Sequence, residues 1–286
     1  MRRVSHEANR RSWNAATEAH NSHKLDQAGF LREGGSTLFP EEVELLGDVS
    51  GLRLLHLQCN AGQDTLSLAR LGVVVTGVDT SDTAIDFARR LAVESGISGT
   101  FERADVYDWL ATAGTSGRRF DVVFSSYGAI GWLSDLEAWA KGIAAVLEPG
   151  GRFVTVEFHP FAMTFDDRLR HAYRYSTAGE PVIWESGVGD YVGLSGAGLA
   201  PSGFVEGERE LKNPHPAHEF FWGLGEIVSA LQDAGLTLTT FREYPYSNGC
   251  RLFEDMREEA GRRLYPPERM PSLPLMYAIV ARKPVG

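Results

Sequence analysis

Two rhythms of apolar residues divide this chain. Leu52 to Leu57 is a largely apolar run that ends in the small and polar residues Gln58 to Gly62; a helical pattern then places Leu66, Ala69 and Arg70 before a second apolar run closes on Asp79. The order predicted is strand, tight turn, helix, strand. In a parallel sheet such a unit sets the turn and Asp79 side by side at the carboxyl edge, where nucleotide-like ligands bind. A carboxylate at the end of the second strand suits a ribose diol, since it accepts hydrogen bonds from both hydroxyls.

The alternation of strand and helix continues. Ser81 or Thr80 can cap a helix from Asp82 to Glu94, with Ala84, Ile85, Ala88, Leu91 and Ala92 on one face, and Phe101 belongs to a third strand with Asp105 just beyond it. A fourth strand, Phe120 to Phe124, delivers Ser125, Ser126, Tyr127 and Gly128 to the same edge. Trp132, Leu136, Trp139 and Ile143 follow at helical spacing, with Trp139 expected in the core. A fifth strand, Phe153 to Phe158, runs out into His159 and Pro160. Phe161 to Glu219 sustains no period and is rich in Gly and aromatic residues; short strands are expected near 181–184 and 207–210. Phe220 to Ala234 reads as helix ended by Gly235, Leu236 to Glu243 as strand, Leu252 to Arg263 as helix and Leu275 to Arg282 as the last strand.

Upstream of this unit, Trp13, Thr17 and His20 share a helical spacing in an otherwise polar segment, and Phe39-Pro40-Glu41-Glu42 opens a short helix. The first segment reads either as a surface helix packed by Trp13 or as a lid over the carboxyl edge that excludes water.

With 286 residues, 43% of them apolar, the chain can build a proper core. A formal charge of -10 argues against wrapping a nucleic-acid backbone, which needs clustered Lys and Arg. Basic residues cluster only in short runs, such as Met1-Arg2-Arg3 and Arg262-Arg263. Cys59 and Cys250 make neither a disulfide framework nor a zinc set, and Cys59 reads as a small residue tolerated beside a ligand. No run of about 18 apolar residues occurs and the amino-terminal stretch is polar, so a cytoplasmic protein without membrane contact is expected.

A dinucleotide is not the expected ligand. Its fingerprint requires three spaced glycines, whereas this turn keeps Gly62 alone and sets Asp64 in the first helical turn, where a carboxylate repels a pyrophosphate and tolerates a cation. The turn, Asp79, Ala104-Asp105-Val106, Phe120 to Tyr127 and Leu147-Glu148-Pro149-Gly150-Gly151-Arg152-Phe153 together resemble the class I S-adenosylmethionine-dependent methyltransferases over about residues 50 to 160. The family's first motif, acid-x-Gly-x-Gly-x-Gly, falls on His56 to Gly62, and this chain departs from it at the acid and at two glycines.

The resemblance implies an α/β fold: a doubly wound, Rossmann-like, seven-stranded and mostly parallel sheet with the last strand antiparallel. It implies S-adenosyl-L-methionine as cofactor. Asp79 is then expected at the ribose with Thr80, Asp105 and Val106 at the adenine, and Gln58, Asn60, Gly62 and Ser125 toward the methionine end and the loop beside it. If the lid holds, Trp13, His20 and Lys24 join the site, with Lys24 facing the methionine carboxylate. Tyr127, Glu157 and His159 are the expected catalytic or acceptor contacts, with His215, His218 and Glu219 reaching in from the far end of the insert. His215, His218 and Glu219 look like a metal set, but Pro214 and Pro216 make the segment a loop and no metal is expected.

The organisation expected is a lid over 1–35, a cofactor-binding core over 36–160, a substrate-covering insert over 161–219 and the rest of the core over 220–286. The acceptor is expected to be a small aromatic or heteroaromatic metabolite, indole-like for example, because the insert carries many rings. No nucleic-acid or membrane partner is expected, and the chain is read as monomer or homodimer. The rivals are a nicotinamide oxidoreductase on the same fold and a noncatalytic nucleotide-binding module.

Overall fold

Seven strands join one sheet: β1 (Arg53–Leu57), β2 (Val74–Asp79), β3 (Thr100–Arg103), β4 (Phe120–Ser126), β5 (Leu147–Phe158), β6 (Thr237–Tyr244) and β7 (Met276–Arg282). Their order is β3-β2-β1-β4-β5-β7-β6, with six strands parallel and β7 antiparallel to both neighbours. The computed structural model describes residues 2–285; Met1 and Gly286, at the ends of the expected first and last segments, lie outside the described residues.

The inner strands are apolar throughout because helices cover both faces. Leu55, Leu57, Val123 and Phe153 point toward α6 (Val106–Thr115), α7 (Leu136–Val146) and α9 (Leu224–Asp233), where Trp139 is fully buried. Leu54, Val122, Phe124 and Val154 point the other way, toward α3 (Pro40–Leu46) and α4 (Gln63–Ala69). On that side α2 (Gln27–Arg32) and α5 (Asp82–Ser95) close a third cluster through Leu31, Ile85, Ala88 and Phe101. Ser81 caps α5 by accepting from the Ala84 N–H, and Gly96 ends it in the left-handed conformation.

Helix α1 (Arg3–Ser22) lies across the carboxyl edge. Its buried face is Ser5, His6, Asn9, Ser12, Ala16, Thr17, Ala19 and His20, without a large aliphatic side chain among them. Arg10 pairs with Asp82 and Arg3 with Asp108, while Asn14 accepts from Ser81 Oγ at 2.7 Å, so α1 is fastened to the first turns of α5 and α6.

Two expectations are corrected. In the insert, Val182–Trp184 pairs with Ala217–Glu219, whereas 207–210 forms no strand, and a short helix α8 (Tyr191–Ser195) lies between them. The segment 252–263 is not a helix: Arg257–Glu259 and Arg263–Tyr265 form a hairpin, with Ser247–Asn248 pairing alongside. Only Phe253 and Met256 of that segment are buried, so no apolar stripe rewards a helix, and Gly261 and Arg262 take the positive φ angles of a tight loop.

Candidate active site

The carboxyl ends of β1, β2 and β4 form the floor of a cavity of about 610 Å³, roofed by α1, α8 and the 247–265 region. Backbone strain concentrates here. Six non-glycine residues have positive φ among the described residues, and three of them are Gln58 (54°), Asn60 (48°) and Tyr127 (37°), all in the cavity wall. Gln58 and Asn60 stand where the resembled motif has glycine, so the turn keeps a glycine-like path while carrying side chains. Gln58 Nε2 donates to the Ala129 carbonyl at 2.7 Å, tying this turn to the loop after β4.

Gly62 caps α4 at φ +80°, and a Cβ there would stand 2.6 Å from Ala88 Cβ and 2.8 Å from the Phe101 ring. It shapes the turn from beneath and does not line the cavity.

Asp79 ends β2 with Oδ2 accepting from the Asn60 N–H at 2.9 Å and Oδ1 from the Ser81 N–H at 2.8 Å. Burial pushes its carboxyl upward, and the N–H groups of Ser81, Asn60 and Thr80 oppose that. Each oxygen keeps lone-pair capacity toward the cavity. Asp105 caps α6 by accepting from the Tyr107 N–H at 2.9 Å, and its Oδ2 lies 2.7 Å from His6 Nδ1. Val106 follows as the first helical residue, whose N–H has no intrahelical acceptor. Asp79 and Asp105 thus share one cavity, together with Thr80 and Val106.

The roof carries Trp13, His20 and Lys24. Trp13 meets Trp132 edge to face at 5.4 Å and Tyr191 at 6.2 Å. His20 Nε2 donates to the Gly189 carbonyl at 2.9 Å, and burial pushes its imidazole down to about 4, so it is neutral. Burial pushes the Lys24 ammonium down to about 8, partly offset by Asp64, and Lys24 makes no ion pair among the described residues. His56, in place of the motif's acid, is likewise driven to about 4 by burial and shares 2.8 Å with Thr65 Oγ1.

The wall is rich in acceptors. Asp64, Asp79, Asp105, Asp190 and Glu219 line it against Lys24, Arg251 and Arg262. His20 Nδ1, Gln58 Oε1 and Asn248 Oδ1 are buried with no donor among the described residues. Such a cavity suits a ligand that brings donors and positive charge.

Besides Gly62, three expected residues sit elsewhere. Ser125 is fully buried in β4, one residue before Ser126, which does line the cavity; alternation along a strand sends the two to opposite faces. Glu157 is occupied by the backbone: the N–H groups of Gly128, Ala129, Ile130 and Phe158 all donate to it, and burial pushes it up against them. It lines a smaller side pocket of about 70 Å³. His159 leaves the edge altogether, with Nε2 3.0 Å from Glu243 Oε1 on β6. Tyr127 remains in the cavity, its hydroxyl accepting from Asn248 Nδ2 at 2.9 Å, and burial raises its phenol well above the ordinary value. His215 is not in this wall, His218 turns back to Ser5 Oγ at 3.0 Å, and Glu219 lies in it.

His6, Asn248 and Arg262 were not expected. His6 and Asn9 lie seven and four residues before Trp13, on the same helical face, and that spacing could have found them. Asn248 and Arg262 come from the 247–265 region and carry no local signal.

Residues 54–151 match the family model described as a methyltransferase domain. A ubiquinone biosynthesis O-methyltransferase from Chelativorans sp. is 30% identical over 141 residues, covering 49% of this chain and 54% of that protein. The chain thus spans about half the length of the curated relatives it matches. Among solved structures, an S-adenosylmethionine-dependent methyltransferase from Listeria monocytogenes superposes with TM-score 0.54 at 15% identity, over 85% of this chain and 95% of that one. One from Mesorhizobium loti gives TM-score 0.51 at 20% identity, over 88% and 99%. At these identities the two structures establish the shared fold.

Proposed function

We propose that this chain, whose residues 54–151 match a methyltransferase domain, is a class I S-adenosylmethionine-dependent methyltransferase that methylates a hydroxylated aromatic small molecule. The observation that carries the reading is the acceptor-rich cavity joining Asp79, Asp105 and the Gln58–Asn60 turn. S-adenosylmethionine supplies a methyl carbon on positively charged sulfur, together with ribose hydroxyls, an adenine amine and an ammonium group. Asp79 fits the ribose diol, Asp105 with the Val106 N–H fits the adenine edge, and Gln58, with its orphaned Oε1, fits the methionine end. Lys24 supports the methionine carboxylate.

The acceptor site is the ringed part of the same cavity. Trp13, Trp132, Trp184 and Tyr191 offer faces that orient a flat ring and attract a sulfonium, which favours an aromatic or heteroaromatic acceptor. The names of the relatives favour oxygen as the methylated atom. Helix α1 covers both ligands and keeps water from the transfer.

Calorimetric titration with S-adenosylhomocysteine tests the cofactor half, and methylation of catechol against indole tests the acceptor half. Binding with turnover of catechol is expected. No binding, or thermal protection by NAD alone, overturns the reading; turnover of indole alone overturns the ring hydroxyl.

A further inference from the structure

Glu219 stands out because nothing in the scaffold needs its charge. The pairing of Val182 with Glu219 and the bond from the Phe220 N–H to the Gly131 carbonyl at 2.7 Å press it against the loop that follows β4. A Cβ on Gly131 would lie 3.2 Å from Glu219 Oε1, so the missing side chain leaves that oxygen its room. Oε2 accepts from the Trp184 indole N–H at 2.8 Å, and Oε1 has no donor among the described residues. No cation pairs with it among the described residues. A glutamine would satisfy Trp184 equally and avoid an unpaired carboxylate among rings, which is costly to bury.

Glu219 also lines both cavities, the large one and the side pocket walled by Ile130, Trp222 and Tyr277. Sharing the side pocket with it are Glu157 from β5, Tyr277 from β7, and Arg174 and Tyr175 from the insert, while His6 from α1 shares the large cavity. Burial, reinforced by Glu157, pushes its carboxyl up to about 7. The competing bases are spent: Glu157 on four backbone donors, His159 on Glu243, His6 on Asp105, and His20 and His56 too weakly basic at about 4.

We propose that Glu219 is the general base that takes the acceptor's hydroxyl proton, an inference that rests on the methyltransferase reading. The acceptor O–H breaks with its proton passing to Glu219 Oε1. An oxygen lone pair forms the new O–C bond, and the C–S bond breaks with its electron pair going to sulfur, leaving a neutral thioether. Glu219 then returns the proton to water.

The test uses 4-nitrocatechol, whose ionisation is visible, on protein loaded with S-adenosylhomocysteine. Wild-type protein should bind it as the anion, whereas E219Q should bind it within about threefold as the neutral form. In methyl transfer to the same probe, E219Q should lose about 10²- to 10³-fold in kcat together with the acidic limb of the pH profile. E219D should recover part of both and stands in if E219Q does not fold. An unchanged anion fraction in E219Q, a retained acidic limb, or no binding of the probe to wild type overturns the proposal. Absence of S-adenosylhomocysteine binding to wild type instead overturns the methyltransferase reading.

Discussion

Asp79→Asn separates the cofactor role of this residue from its place in the fold. The carboxylate accepts one backbone N–H on each oxygen, from Asn60 at 2.9 Å and Ser81 at 2.8 Å. An asparagine offers a single acceptor oxygen, so one of these N–H groups faces an NH₂ and loses its partner. An unsatisfied buried donor costs about 1 to 3 kcal/mol, which should appear as a lower melting temperature. The ribose contact changes from a charge-assisted to a neutral hydrogen bond, a loss of roughly 1 to 2 kcal/mol, or about 5- to 30-fold in Kd. Isothermal titration with S-adenosylhomocysteine at matched ionic strength measures the second quantity, and circular dichroism confirms that the variant is folded. A folded variant whose Kd stays within twofold of wild type would remove Asp79 from the ribose and with it the placement of the cofactor along β2.

Lys24 gives a pH signature. Its ammonium, lowered to about 8 by burial, is fully charged below that pH, so affinity for S-adenosylhomocysteine should be level there and fall as pH climbs past it. The folded state binds fewer protons at Lys24 than the unfolded state between about 8 and 10.5, so this residue makes folding stability rise with pH where ligand affinity falls. Lys24→Met should weaken binding at neutral pH and flatten the profile; an unchanged profile by titration calorimetry refutes the assignment. Gly62→Ala must place a side chain at φ +80°, within 2.6 Å of Ala88 Cβ. Left-handed strain of about 1 to 2 kcal/mol and overpacking of about 1 to 3 kcal/mol should lower stability by roughly 2 to 5 kcal/mol in urea unfolding, and a loss under about 1 kcal/mol would refute the close-approach argument.

Where the chain buries both faces of an element, its pattern was readable. Leu54, Leu55 and Leu57, or Val122, Val123 and Phe124, are apolar because helices cover the sheet on each side, and runs of that kind identify inner parallel strands. Asp79 ends such a run, whereas Asp105 was singled out by the family resemblance of Ala104-Asp105-Val106. The reading went astray where geometry finer than a run decides the outcome. Ser125 and Ser126 look alike in sequence, and a single step of strand alternation puts the first in the core and the second in the cavity. Glu157 reads as an acceptor contact at a strand end, but the four N–H groups that surround it come from its own carboxyl end and from a loop some thirty positions earlier. The hairpin around Gly261 turned on two positive φ angles, and the strained turn at Gln58 and Asn60 hid a glycine-like path behind residues that are not glycine. The polar character of 3–22 left its destination open, because a helix that covers a ligand cavity needs no aliphatic stripe.

That last property bears on how the cover is held. The face that α1 turns inward carries hydroxyls, imidazoles and an amide from Ser5, His6, Asn9, Ser12 and His20, all of which water solvates readily, with Ala16, Ala19 and the Trp13 ring as its apolar part. Its hold is a set of polar clasps at Arg3, Arg10 and Asn14, which exchange partners with solvent easily, so the helix is fastened over the cavity by contacts that are individually weak.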